Sequence, residues 1–129
     1  MRGETLHNFM VARTKLFLIG ILWKVFTEFK ISQNGVINYA DILAIYSNLA
    51  IIFEIETTSR HIIDNCLKAQ AVNIPLCIIV PDTALLKTAS AKLDKLDIKP
   101  GGCRIKLFRL NQLHNEVTNY LSLFIAANS

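Results

Sequence analysis

Glu54 and Glu56 stand two residues apart at the end of the apolar run Ala50-Ile51-Ile52-Phe53, and Asp41 lies on the apolar run before it. In a β-strand, side chains at i and i+2 share a face, so the two glutamates leave a buried segment in the same direction. At ~4 Å two like charges near a protein surface repel by about 4 kcal/mol at an effective dielectric of 20, and desolvation adds to that cost. A divalent cation removes both penalties. Hard ions such as Mg²⁺ or Mn²⁺ accept carboxylate oxygens, keep several waters and leave positions for a phosphate. The chemistry indicated is metal-assisted attack on a phosphodiester. The alternative is a solvated strand end whose glutamates pair with Arg60 or a lysine.

These residues need elements to position them. From about Glu4 to Trp23 the pattern is helical and becomes apolar nearly all round, as in a helix packed on a sheet. Val25 to Ile31, Val36 to Tyr46 and Leu49 to Glu56 read as strands, separated by Ser32-Gln33-Asn34-Gly35 and by Ser47-Asn48, which predicts an antiparallel meander. Thr58 or Ser59 is the expected cap of a helix running to about Val72. Leu76 to Val80 is a continuous apolar run of the kind buried in parallel pairs, so it is expected parallel to the Glu54 strand. Pro81-Asp82 then caps a lysine-rich helix to about Leu96. Pro100-Gly101-Gly102 is a turn, Arg104 to Leu110 a further strand, and Gln112 to Ala127 a closing helix capped by Asn111. The expected fold is α/β, a mixed sheet flanked by helices, in the order helix, three-strand meander, helix, strand, helix, strand, helix. Asp41 and the glutamate pair then adjoin across one hairpin.

Composition bounds the rest. At 129 residues and 52% hydrophobic, the chain suits one domain, residues 1–129, with a core of its own. A net charge of +4 is compatible with a polyanionic partner but does not identify one. Cys66, Cys77 and Cys103 are odd in number and widely spaced, and read as buried thiols of a reducing compartment rather than a disulfide or zinc framework. The apolar run Leu16 to Trp23 is interrupted by Lys24 and falls short of the ~20 residues that span a bilayer, so a cytoplasmic protein without a membrane partner is expected. No phosphate-binding glycine loop is present.

Taken in order, Gly3-Glu4-Thr5-Leu6-His7, Asp41-Ile42-Leu43, Glu54-Ile55-Glu56, and Asn65 with Lys68 on the following helix resemble the restriction-endonuclease-like superfamily, the PD-(D/E)xK nucleases. The similarity is to a small branch that opens with Gly-Glu-x-x-His and carries Glu-x-Glu in place of Glu-x-Lys, and it covers residues 3 to about 81. It implies a restriction-endonuclease-like mixed sheet and Mg²⁺- or Mn²⁺-dependent cleavage of nucleic acid, DNA first. Carried over by position, Asp41 and Glu54 hold the metal, Glu56 is a second ligand or general base, and Glu4 adds an outer carboxylate. Ala40 replaces the usual proline, a mild change. The absent lysine is graver, because in the family it orients the attacking water and offsets transition-state charge, although some restriction endonucleases work with Glu-x-Glu. Lys68 is the candidate replacement, and Asn65, His61 and Arg60 are candidate substrate contacts.

The remaining charged residues have simpler expectations. His7 reads as a surface or capping residue, with contact to Glu4 or the metal as the alternative; His114 reads as exposed; and Glu28, with Lys24 and Lys30 at alternating positions on its own strand, reads as part of an exposed cross-strand pair rather than a metal ligand. Lys92, Lys95 and Lys99, with Arg104 and Lys106, form a solvated basic face unless they converge on the carboxylates. Leu113, Val117, Tyr120, Leu121 and Phe124 form a core stripe or a homodimer contact. Two other functions stay open: a catalytically silent nucleic-acid-binding or assembly subunit of the same fold, and an unrelated small α/β regulatory module.

Overall fold

The computed structural model describes residues 3–33, 35–96 and 105–129. The elements are α1 (Gly3–Gly20), β1 (Lys24–Gln33), β2 (Val36–Tyr46), β3 (Leu49–Ile55), α2 (Ile62–Val72), β4 (Leu76–Val80), α3 (Thr83–Lys95), β5 (Ile105–Arg109) and α4 (Thr118–Ala127). Asn34, Lys99, the Pro100-Gly101-Gly102 turn, Cys103 and Arg104 lie outside the described residues.

The strands form one mixed five-stranded sheet in the order β1-β2-β3-β4-β5. The first three are the antiparallel meander, and β3, β4 and β5 run parallel. All five residues of β4 are buried, as a strand covered on both faces requires. On one face Ile42, Ala44, Ile51, Phe53, Ile55, Cys77 and Ile79 pack against Met10, Phe17 and Leu18 of α1 and against Leu113, Val117 and Leu121. On the other, Leu43, Ile52, Leu76, Ile78 and Val80 meet Ile62, Cys66 and Ala69 of α2 and Ala89 and Leu93 of α3. The chain is thus an α/β protein with helices on both sides of a mixed sheet. The stripe on the closing segment is core.

Two helix starts differ from the expected ones. Helix α2 begins at Ile62 with His61 at its cap position and no side-chain capping bond. Thr58 and Ser59 are used elsewhere: the Thr58 hydroxyl accepts from Arg60 N at 3.3 Å, and the Ser59 carbonyl accepts from the Lys92 ammonium at 2.8 Å. The closing segment does not start as a regular helix capped by Asn111. It runs through a 3₁₀ turn (Leu110–Gln112) and a π turn (Leu113–Val117) before α4. The Thr118 hydroxyl donates five residues back to Leu113 O at 3.1 Å, a contact that suits the wider turn. Asp82 caps α3 as expected, accepting from Leu85 N at 2.8 Å.

The β1–β2 hairpin carries one irregularity that matters for the site. Along an undisturbed strand Ala40, Ile42 and Ala44 would share a face, yet Ile42 and Ala44 face α1 while Ala40 faces α2. In β1 Val25 packs on the α1 side and Ile31 on the α2 side, again against strict alternation. Pairing runs Thr27 to Ile42 and then Phe29 to Ala40, so both strands invert at Glu28 and Asp41 without a change of register. Glu28 supplies the distortion, with φ of 48°, a left-handed backbone rare for a residue with a side chain. The pairing of β2 with β3 starts at Ile42 and Phe53, so beyond Asp41 the hairpin projects past β3 as an arm.

Candidate active site

Where that pairing ends, two side chains continue it. Asp41 N donates to Glu54 Oε1 at 2.8 Å, and Ile55 N donates to Asp41 Oδ2 at 2.8 Å. Each carboxylate satisfies a main-chain amide on the other strand, which fixes both against the parting backbones. Asp41 Oδ2 also lies 3.3 Å from His7 Nε2 on α1.

Glu54 and Glu56 leave the α2 side of β3, where α2 brings two partners. Glu54 is 2% exposed, and its second oxygen is ion-paired with the Lys68 ammonium. Lys68, its side chain 14% exposed, also donates to Tyr39 O of the hairpin arm at 2.9 Å. Asn65 Nδ2 donates to Glu56 Oε1 at 2.5 Å. No bond to a described residue involves Asp41 Oδ1 or Glu56 Oε2, which leaves those oxygens available to a ligand.

These groups border one open cleft of about 970 Å³, whose wall includes Glu4, Arg60, His61 and Asp64. All the residues expected to act on metal or substrate line it: Glu4, Asp41, Glu54, Glu56, Arg60, His61, Asn65 and Lys68. The start of α1 supplies Glu4 and His7 to the cleft wall, where the partly exposed His7 meets Asp41, the alternative reading of that residue. A signal for it existed: His7 lies three residues after Glu4 and therefore near the same helix face. His114 is exposed, with its ring edge-on to Phe17 at 5.4 Å. Lys92, Lys95 and Lys106 do not line the cleft. Glu28 makes no ion pair with a described residue, so the expected cross-strand pair is not formed among them. It lines a smaller recess on the far side of Asp41 and His7.

Burial pushes the carboxyl of Glu54 above the ordinary glutamate range, against the opposing pull of the Asp41 amide and the Lys68 charge. Glu56 is raised as well, by burial first and by the Asp41 charge, with the Asn65 hydrogen bond acting the other way. Both therefore hold more protons folded than unfolded just above the usual carboxylate pKa. Their contribution to stability is fully present below the unfolded pKa and is lost as pH rises through the raised folded values. Urea midpoints of the metal-free protein between about pH 4 and about pH 8 should show this decline. Glu56→Gln keeps an acceptor for Asn65 and should flatten the profile; an unchanged profile would argue that Glu56 is not strained by its surroundings.

Among the described residues, no three histidine, cysteine or acidic side chains stand ready as a set to hold a metal ion. Asp41, Glu54 and Glu56 share the cleft, and the cation already on Glu54 is Lys68. Also among the described residues, no helix is long and apolar enough to cross a membrane.

No family model and no curated protein matches the chain. Among solved structures it is similar to a crystal structure described as "Protein of Unknown Function AF1548", with a TM-score of 0.52 and 11% identity over 78% of this chain. The match spans 57% of that protein, so this chain corresponds to little more than half of it. At that identity the likeness is one of fold: a mixed α/β sheet flanked by helices.

Proposed function

We propose that the protein is a metal-dependent nuclease of the restriction-endonuclease-like kind, hydrolysing phosphodiester bonds of DNA. One observation carries the reading: Asp41, Glu54 and Glu56 meet Asn65 and Lys68 at the mouth of one cleft where the β2–β3 pairing ends. The donor chemistry suits Mg²⁺ or Mn²⁺, since carboxylate oxygens are the ligands such ions select, and Asp41 Oδ1 and Glu56 Oε2 are unspent. When bound, the ion supplies Lewis-acid polarisation of the phosphate. Asp41 and Glu54 would hold it, Glu56 would complete the set or take a proton from the nucleophile, and Asn65, bonded to Glu56, orients that carboxylate. Lys68 supplies the positive charge that the Glu-x-Glu pattern omits, arriving from α2 rather than β3. Arg60 and His61 border the cleft as contacts for flanking phosphates.

The test is incubation of supercoiled plasmid with Mg²⁺ or Mn²⁺. Nicking that chelator abolishes is expected. A second reading is favoured by the engagement of both Glu54 oxygens: a catalytically silent nucleic-acid-binding subunit. Retardation of DNA indifferent to chelator, with no cleavage in either metal, would select it.

A further inference from the structure

We propose that Lys68 is a resident cation on Glu54, which the incoming metal displaces and which then turns to the substrate phosphate. This rests on the nuclease reading and adds an order of events to it. Glu54 is an almost wholly buried carboxylate, and the charge that makes its burial tolerable is the Lys68 ammonium. Its other oxygen is committed to the Asp41 amide. A metal that takes Glu54 as a ligand must therefore compete with the ammonium for the same oxygen. Two cations on one buried carboxylate repel, so occupancy by one weakens the other.

The geometry gives the released ammonium somewhere to go. Lys68 lines the cleft together with Arg60, His61 and Asn65, among groups able to meet an anion. Its second bond is to Tyr39 O, two residues before Asp41 on the projecting hairpin. Displacement thus also releases the arm beside the metal ligand. The same lysine neutralises Glu54 before metal loading and stabilises phosphate charge after it, which accounts for a site whose acidic groups are adjacent yet not assembled for an ion.

The experiment reads metal binding without nucleic acid. Mn²⁺ titrations by calorimetry at pH 8 compare the full chain with Lys68→Met, whose thermal unfolding is recorded alongside. The variant should bind Mn²⁺ about tenfold more tightly, within the usual range for coupled sites. In the unsubstituted protein, the ¹⁵N-detected ammonium signal of Lys68 should be protected from exchange and lose that protection on saturation with Mg²⁺. Equal or weaker Mn²⁺ affinity in Lys68→Met, or an ammonium signal that Mg²⁺ leaves unchanged, overturns the displacement while leaving the nuclease reading in place. If neither protein binds metal, the nuclease reading itself fails and the displacement with it.

Discussion

Asp41→Asn is expected to lower Mn²⁺-dependent cleavage about a thousandfold, roughly 4 kcal/mol of transition-state stabilisation, while the protein stays folded. The asparagine oxygen can still accept from Ile55 N, so the link that Asp41 makes to β3 survives. What is lost is the negative charge, and a neutral amide oxygen is a poorer ligand than a carboxylate for a hard dication. Asp41→Ala adds a second effect, since Ile55 N loses its acceptor at a cost of about 1–3 kcal/mol. Initial rates of plasmid nicking and urea midpoints, measured on both variants, separate the two contributions. Cleavage by Asp41→Asn within a few fold of the parent would remove Asp41 from the metal site.

The other large effect is on stability. Removing one partner of a buried ion pair typically costs about 3–5 kcal/mol, because the survivor stays desolvated and unpaired. Glu54→Gln keeps an acceptor for the Asp41 amide and strands the Lys68 ammonium, while Lys68→Met strands the Glu54 carboxylate. Each single variant should lose about 3 kcal/mol, and the double variant clearly less than the sum, since no buried charge is then left unpaired. Its stability should recover while its cleavage does not. Strict additivity in the denaturation cycle would mean that Lys68 and Glu54 are neighbours without being energetic partners.

The α/β class was legible because it rests on periodicity. Apolar alternation, the Asn34-Gly35 turn signal and the continuous Leu76 to Val80 run each mark an element by local pattern. The pairing of Lys68 with Glu54 was partly legible: the parity of β3 aims Glu54 toward the helix that follows, but the phase of α2 depends on its starting at Ile62 rather than after Thr58 or Ser59. The Asp41–His7 contact was not legible, since it joins α1 to β2 through the packing of a whole layer. Nor was the role of Tyr39, which enters through its carbonyl and leaves no trace in residue type. The inversion at Glu28 and Asp41 was hidden for a further reason. Strand alternation is the rule by which faces are read from sequence, and the site lies where that rule is suspended.

The matched inversion also limits how the arm can change length. Because β1 and β2 reverse together and keep their register, deleting one residue from a single strand between the kink and the turn would turn that strand's inner side chains outward and leave its partner's in place. Length variants of this hairpin that still fold should therefore gain or lose residues in equal numbers on its two limbs, so that Ile31 and Asn38 remain across from one another and Val36 and Asn38 stay at the cleft.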